Sequence, residues 1–533
     1  MKTSIGLILA FLFVVQSSFA FVDFESNVLS QVKATNQILQ GDEKYDLKVR
    51  VIDVSGVAIP HAKVLAGTAP GNPFEGNLLE TDGEGVVLFQ SSYFKNNPSI
   101  TITASKDTYN KFTYINVGYN NVEIALQPYP NDNAFAFLEG NYNGWVEKYD
   151  SNTVELGLFL PALRPEFLLN FDATKIISSY SVKLDIVGER DIPGNLLFPK
   201  QDKRYLFVPI HLEKPSYIMP LPLGMSAQMS GLIGTVPLSD AISYMRAKDF
   251  LSVFNIMKLN KVNWTNENID VRGNQRIDLQ VQRELEQKKI QSRYSEIPKG
   301  FDLVTIAAID PNGNKSNLIP TAIAALKQNE QEKAKKTLQL SSVKEIPSGA
   351  AYYVFTAAMD MKQFNDDAAI KQTAITAALK KVNLNSLVEK DDVDDWGLPT
   401  MNTMYDVYTE RFLNVIQLAQ PSSNKRNYSF STATAKDLTP DVVILNIVSK
   451  YKNAATKGRT RKVLWTAVLP GTATALQLPQ IDQNPILPSP DPKKEESFSW
   501  EVIAIKSQKT INSFDLSDIV NNVEYVSTST SSF

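Results

Sequence analysis

The sequence predicts a mainly β, multi-domain protein built as a string of β-sandwich units around a mixed, mostly β central region that carries one or two helices. The first observation is the alternation of Leu47, Val49 and Val51 with Lys48 and Arg50, which is the period of a half-buried strand. The second is the recurrence of glycine, proline and asparagine turns between such runs, which is typical of sandwiches. A length of 533 residues suggests three or four domains.

The N-terminus has the three parts of a secretory signal. Lys2 precedes an apolar run over 5–15, and Ser18-Phe19-Ala20 has small residues where a signal peptidase cleaves. We therefore predict a signal peptide over 1–20, a leader segment over 21–44, and a mature chain in the periplasm, on the outer surface or outside the cell. Because residue 21 is phenylalanine and not cysteine, we expect no lipoprotein. No later apolar run approaches the roughly 20 residues of a transmembrane helix, so no membrane span is expected after signal removal.

Composition excludes several chemistries. The chain has no cysteine, so disulfides, thiolate nucleophiles and cysteine-ligated metal sites are excluded. The net charge of −3, from 54 basic and 57 acidic residues, gives no basic footprint for nucleic acid. The one basic cluster, Lys457–Lys462, is predicted to be a solvated hairpin turn.

Residues 45–128 form the clearest unit in the sequence. Predicted strands over 86–89, 100–104 and 122–126 follow the first one, with turns at Asp53–Gly56 and Thr81–Gly85. The combination of Asp53…Gly56, Pro60-His-Ala-Lys-Val64, Thr81-Asp-Gly-Glu-Gly85, Phe89 and Asp107-Thr-Tyr109 resembles the carboxypeptidase regulatory-like, transthyretin-like sandwich. That resemblance implies a non-catalytic spacer or contact module that stands beside other domains.

Residues 129–290 are predicted to be a mainly β central domain without a recognisable family. Aromatic-rich Phe135-Ala-Phe137 and Asn141-Tyr-Asn-Gly-Trp145 precede predicted strands over 154–158, 180–186 and 205–209. A tight turn is predicted over 191–195, and one helix over 239–260.

Residues 291–420 are predicted to be an Ig-like β domain and residues 421–533 a fibronectin type III or Ig-like sandwich. Strands are expected over 303–306, 319–323 and 350–358, while 366–382 fits either an alanine-rich helix or a strand hairpin. The last unit has strands over 442–447, 462–468, 473–478 and 498–504, with Trp465 and Trp500 expected in the core. Its tryptophan strand and Leu-Pro turns resemble the fibronectin type III pattern, which implies an Ig-like sandwich.

No residue set carries a recognisable catalytic motif. Only two histidines exist, His61 and His211, and neither stands in a zinc-peptidase spacing. The glycines around Ser226 do not form a nucleophile elbow, and no phosphate-binding glycine loop is present. We therefore predict no catalytic, cofactor-binding or metal-binding residue and no cofactor.

Three weaker candidates have plainer structural explanations, and a fourth is left as a possible sugar contact. The acidic run over 389–395 lacks the order of an EF-hand loop and is expected to be a solvated loop, and whether Asp391–Asp395 binds Ca²⁺ is left open. Asp310-Pro-Asn-Gly-Asn314 is expected to be a turn before it is a metal site. Met219, Met225 and Met229 are expected to pack in a core rather than to bind a soft metal. Tyr142 and Trp145 are expected to be exposed, where they could stack on a sugar.

These observations favour an exported, non-catalytic binding or scaffold protein of the bacterial envelope or cell exterior, with an unidentified protein or glycan partner. The alternative is a carbohydrate-active hydrolase whose paired carboxylates lie in the central domain. Facing carboxylates in a deep central pocket would favour the hydrolase, and exposed sheet edges or aromatic patches would favour binding.

Overall fold

A computed structural model of the chain describes the following residues: 32–35, 46–97, 99–118, 120–129, 135–146, 152–163, 178, 180–185, 189–205, 208–246, 252, 255–294, 297–327, 336–359, 372–382, 390–393, 399–409, 412–431, 438–452, 459–482, 487–508 and 514–533. The predicted signal peptide, most of the predicted leader and residues 389, 394 and 395 of the acidic run lie outside these ranges.

Strands dominate the described residues, which confirms the predicted fold class. The strands of the first half are β1 Val32–Thr35, β2 Asp46–Asp53, β3 Lys63–Ala66, β4 Leu78–Glu80, β5 Val86–Gln90, β6 Ile100–Ser105, β7 Lys111–Val117, β8 Asn121–Leu126, β9 Phe135–Asn143, β10 Thr153–Pro161, β11 Ser181–Asp185, β12 Glu189–Pro193, β13 Leu196–Tyr205, β14 Val208–Lys214, β15 Ser216–Pro222, β16 Ser226–Ala227, β17 Met229–Pro237, β18 Lys258–Trp264, β19 Ile269–Asp270, β20 Gln275–Arg276, β21 Leu279–Gln280 and β22 Arg283–Tyr294.

The strands of the second half are β23 Asp302–Asp310, β24 Ile319–Leu326, β25 Lys336–Val343, β26 Ala351–Met359, β27 Gln372–Val382, β28 Lys390–Val393, β29 Pro399–Thr409, β30 Gln417–Leu418, β31 Asn427–Ser431, β32 Val442–Lys452, β33 Arg459–Pro470, β34 Ala475–Gln477, β35 Ser497–Ser507, β36 Phe514–Asp515 and β37 Val523–Ser532. The helices whose bounds are described are α1 Tyr93–Asn96, α2 Leu238–Arg246 and α3 Leu516–Asn521, with a 3₁₀ turn at Pro492–Lys494; residues 252, 255 and 256 are also helical.

A twelve-stranded sheet is the largest element of the molecule. Its strand order is β24-β23-β26-β27-β37-β35-β32-β33-β7-β6-β3-β4, so it includes strands from three of the predicted units. The junction between the C-terminal strands and residues 45–128 is a parallel pairing of Trp465–Val468 with Lys111–Tyr114. The predicted units therefore share one hydrogen-bonded sheet, while their boundaries stay a prediction.

Both faces of this sheet are covered. On one face, β36, β1, β8, β2 and β5 form a five-stranded sheet, and Val442 and Ile444 of β32 belong to the same apolar cluster as its residues. On the other face, Val443 and Leu445 pack with Tyr428 of the small sheet β30-β31-β34. Burial on both faces explains the continuous apolar run at 442–445, which lacks the alternation of a half-buried strand.

The central region is built on a nine-stranded sheet and a four-stranded sheet. Strands β14, β13, β10, β17, β18, β22, β29 and β28 follow one another, and β25 pairs with β22. Strands β15, β9 and β20 form the second sheet, with β21 also paired to β9. Phe159, Tyr217, Met219 and Met229 fill a shared apolar core between them.

Three local predictions need correction. The predicted helix over 239–260 extends too far at its C-terminal end, because Lys258–Trp264 is a strand that pairs with β17; α2 covers Leu238–Arg246, and residues 252, 255 and 256 are also helical. The predicted strand over 205–209 is a hairpin, because Tyr205 ends β13 and pairs with Val208 at the start of β14. Of the range 366–382, which fitted a helix or a strand hairpin, Gln372–Val382 is a strand that pairs with β26 and β37, and residues 366–371 lie outside the described ranges.

The predicted solvated turn over 457–462 is wrong for its last residues. Strand β33 already begins at Arg459. The guanidinium of Arg461 forms an ion pair with the buried Glu501 carboxylate, and the Lys462 ammonium lies 3.7 Å from the centre of the Tyr129 ring. Residues 457 and 458 lie outside the described part of the chain.

The turns predicted in the first unit are confirmed. Asp53 Oδ1 accepts hydrogen bonds from the backbone N–H groups of Ser55 and Val57, and Asp82 Oδ1 accepts from those of Glu84 and Val86. Gly85 has a φ of +71°, which only glycine adopts at little cost. Over the ranges given above, no helix is both long enough and apolar enough to cross a bilayer.

Candidate functional site

The two histidines are far more exposed than core histidines and do not gather metal ligands. The His61 side chain is 75% exposed, and its Nδ1 lies 3.8 Å from a Glu80 carboxylate oxygen. His211 Nδ1 contacts the Asp202 carboxylate, which stands directly opposite on the neighbouring strand. Among the described residues, no three histidine, cysteine, aspartate or glutamate side chains gather as a metal-binding group.

The described carboxylates of the central region do not show a facing pair. Glu155 is the one acidic residue there that is buried, with 1% of its surface exposed. Its carboxylate accepts hydrogen bonds from the backbone N–H of Val146 at 3.1 and 3.3 Å. This arrangement satisfies a buried charge, and it brings no second buried carboxylate of the described region opposite Glu155.

Asp391 and Asp392 lie in β28, whose side chains are not described, and Asp394 and Asp395 lie outside the described ranges.

The expected exposed aromatic pair is wrong. Tyr142 is 1% exposed, and its hydroxyl donates to the carbonyls of Leu158 and Leu232. Trp145 is half-buried, its indole N–H donates to the Tyr142 carbonyl, and its ring lies where a side chain on Gly157 would otherwise stand. A bare glycine on β10 thus gives both rings room to pack, with Tyr142 inside the core and Trp145 half-buried against it.

The three methionines and the two C-terminal tryptophans pack in or against apolar cores, as expected from the sequence. Met219 and Met229 are fully buried, and Met225 packs against the same cluster. Trp465 and Trp500 are 1% and 0% exposed. Ser226 donates a hydrogen bond to Asp270 within the two-stranded ribbon of β16 and β19, and neither histidine is a partner of that bond.

An apolar surface lies on the outer side of the four-stranded sheet. Alternate residues of β9 face the core, as Ala136 and Leu138 do, and leave Phe135 and Phe137 half-buried on the other side. Pro220 stands directly opposite Phe137 on β15. Ring centres of Phe137 and Tyr180 lie 5.1 Å apart, and those of Phe135 and Phe137 lie 5.5 Å apart. We call Phe135, Phe137, Tyr180, Ile218 and Pro220 the aromatic face.

Polar side chains border the aromatic face. Glu139 continues the outward row of β9, and Arg276 lies in register beside it on β20. Arg276 Nε lies 3.4 Å from Asp278 Oδ1, which also accepts the backbone N–H of Asn141 at 2.7 Å. An apolar centre with a charged rim is the usual anatomy of a protein-binding surface.

The turn at Gly194 holds the aromatic face in place. Its N–H donates to the Tyr180 carbonyl at 2.7 Å, and its carbonyl accepts from the Ile218 N–H at 3.0 Å. A Cβ at position 194 would lie 2.0 Å from the Ile218 carbonyl oxygen, so only glycine fits this approach. The turn predicted over 191–195 is thus centred on Gly194 and Asn195, because residues 189–193 are in β12.

A buried lysine completes this support. Lys214 is 7% exposed, and its Nζ donates to the carbonyls of Gly194, Leu196 and Ser216 at 2.8, 2.6 and 3.1 Å. Burial lowers the pKa of Lys214 from 10.5 to about 7, while three carbonyl acceptors favour the ammonium form. Sequence reasoning missed this residue, since a lysine before a proline in an alternating strand looks exposed.

Comparison with known proteins gives no family. No family model and no curated protein matches the chain. Among solved structures, the TIE protein of Bacillus anthracis is 8% identical over 70% of this chain and 51% of that one, with a TM-score of 0.13. This chain therefore spans about half the length of that protein. BcpA, the major pilin subunit of Bacillus cereus, is 7% identical over 69% and 99%, with a TM-score of 0.14. A streptococcal ancillary pilin is 8% identical over 68% and 99%, with a TM-score of 0.12. No conclusion about function follows from likeness at this level.

Proposed function

We propose that this chain is an exported, non-catalytic binding or scaffold protein that holds another protein through its aromatic face. The observation that carries the proposal is the group of half-buried rings formed by Phe135 and Phe137 of β9 and the neighbouring Tyr180, bordered by charged side chains. Aromatic side chains anchor protein interfaces because they bury much apolar area at low conformational cost. The N-terminal signal pattern supports export.

A protein partner suits this face better than a glycan does. Ile218, Pro220 and the two phenylalanines have no side-chain hydrogen-bonding group, and a sugar's many hydroxyls need such partners when they lose water. The Tyr180 hydroxyl is the one polar side-chain group within the face as defined here. The resemblance of residues 45–128 to the regulatory-like family supports a contact role for that unit as well.

The test is capture of partners from fractionated source cells. The purified mature protein should retain a partner from the envelope or secreted fraction, and Phe137→Ser should weaken that binding by roughly tenfold or more, as expected for an interface anchor. Leu88→Ser is the matched control, because Leu88 is 47% exposed on a different sheet. Equal retention by Phe137→Ser and wild type would contradict the proposal, as would glycan binding that depends on Phe137.

A further inference from the structure

The strongest unexplained feature outside the aromatic face is the buried carboxylate of Asp310. This residue ends β23, is 0% exposed, and its Oδ2 has no hydrogen-bond partner. Its Oδ1 accepts the backbone N–H of Asn312 at 2.9 Å, which holds the carboxylate against the turn that follows. None of the described basic side chains forms an ion pair with it. A buried, uncompensated carboxylate is costly, so a positive group at this oxygen would stabilise the fold.

The turn itself supplies further oxygen donors. Asp310, Asn312 and Asn314 alternate as Asp-x-Asn-x-Asn, the spacing that presents oxygen ligands from the first part of a calcium loop. Asn312 and Asn314 are exposed, so this side of the turn faces solvent, although Asn314 Oδ1 already accepts hydrogen bonds from the N–H and the hydroxyl of Ser316 at 3.0 and 2.5 Å. The carbonyl of Gly349 also approaches the turn, because it lies 2.4 Å from the place that a Cβ on Gly313 would take.

The neighbouring charged and phenolic groups leave this oxygen free. The Lys315 ammonium donates to the Val523 carbonyl at 3.2 Å and lies 5.9 Å from the Tyr353 ring centre. The Tyr353 hydroxyl donates to the Gly313 carbonyl at 3.3 Å. Burial and the nearby Asp310 charge raise the pKa of Tyr353 to about 12, which fits a carboxylate close to the phenol.

We propose that the turn Asp310–Asn314 binds Ca²⁺, with the unpartnered Oδ2 of Asp310 as the anionic ligand and the side-chain amide of Asn312 as a neutral one. Calcium suits these donors because it takes six to eight oxygen ligands in flexible geometry, and water completes the shell. Lys315 stands where an EF-hand loop has glycine, and Thr321 stands where it has glutamate. The affinity should therefore be weak, with a Kd of about 10⁻⁴–10⁻³ M.

Calcium titration of the full mature chain, followed by calorimetry, tests this site. We expect Asp310→Asn to remove one bound Ca²⁺, while Asp82→Asn leaves the stoichiometry unchanged. Asp82 is the matched control because its carboxylate also caps a turn but is exposed and partnered. Any calcium held by the acidic residues 389–395 would remain in both variants, so only the difference between them reports on Asp310.

A second variant and probe guard against misfolding of Asp310→Asn. Asn312→Ala changes only an exposed side chain, and we expect it to weaken Ca²⁺ binding by about tenfold. Tb³⁺ used as a calcium substitute should show tyrosine-sensitised luminescence that Tyr353→Phe and Asp310→Asn both reduce. Unchanged Ca²⁺ stoichiometry and affinity in Asp310→Asn and Asn312→Ala, or no Ca²⁺ binding by the wild type, would overturn the proposal.

Discussion

Lys214 links burial, charge and the proposed binding face at the scale of one residue. Its lowered pKa means that, between pH 7 and 10, the unfolded chain binds more protons at this residue than the folded chain does. The contribution of Lys214 to the free energy of unfolding should therefore rise with pH in this window, by up to about 1.4 kcal/mol per pH unit. Below pH 7 the residue is charged in both states and the contribution is constant.

The measurement is urea unfolding of wild type and Lys214→Met at pH 6, 7, 8 and 9. We expect the stability difference between the two proteins to change above pH 7 in favour of the wild type. A difference that stays constant from pH 6 to pH 9 would show that the three carbonyl acceptors outweigh burial and keep the ammonium charged.

We expect Trp145 to contribute to the stability of the fold and not to ligand binding. Its ring packs over Gly157 and against Tyr142, with ring centres 5.5 Å apart. Removing a half-buried indole should lower the free energy of unfolding by about 2 kcal/mol. Chemical denaturation of Trp145→Ala measures this loss, and a glycan array on the same variant checks binding. A Trp145-dependent loss of glycan binding at unchanged stability would restore the sugar-stacking interpretation.

At the scale of elements, the junction between β33 and β7 depends on a few buried polar contacts. The Trp465 indole N–H donates to the Thr113 hydroxyl at 2.9 Å, and the Thr113 and Thr103 hydroxyls share a hydrogen bond at 3.0 Å. All three residues are buried. These contacts fix the register of a parallel pair, which joins two parts of the chain that are far apart in sequence.

Thr113→Val should destabilise this junction, because it leaves the buried indole N–H without an acceptor. The expected loss is about 1–3 kcal/mol in the free energy of unfolding. Thr103→Val is the matched control, since it removes only the hydroxyl pair and leaves Trp465 its acceptor. Losses of equal size in the two variants, measured by denaturant titration, would argue against a particular role for the Trp465 bond.

Strands with clean alternation were predictable from sequence, while elements set by distant partners were not. The burial of Leu47, Val49 and Val51 and the turns at Asp53 and Asp82 follow from local residue types. The strand at Lys258–Trp264 and the hairpin at Tyr205 and Val208 depend on which strands accept their backbone groups, and local pattern does not carry that information. The alternation of Phe135 and Phe137 with Ala136 is visible in the sequence. The contact between the rings of Phe137 and Tyr180, in contrast, depends on the fold.

At the scale of the whole molecule, the twelve-stranded sheet joins strands from three of the predicted units through backbone hydrogen bonds. Strand β7 belongs to residues 45–128, β33 to residues 421–533, and β23, β26 and β27 to residues 291–420. A string of sandwiches joined only by linkers would move independently, whereas a shared hydrogen-bonded sheet resists such motion. Sequence could not show this, because a parallel pair between Lys111 and Trp465 leaves no local signature.

The central claim is that residues 45–128 and the C-terminal strands share one cooperative sheet. Native-state hydrogen exchange tests it most directly, since amides opened by the same event exchange with the same free energy. We predict equal exchange free energies for the amides of 112–114 and 466–468. Amides of 112–114 that exchange at a much lower free energy than those of 466–468 would contradict the shared sheet.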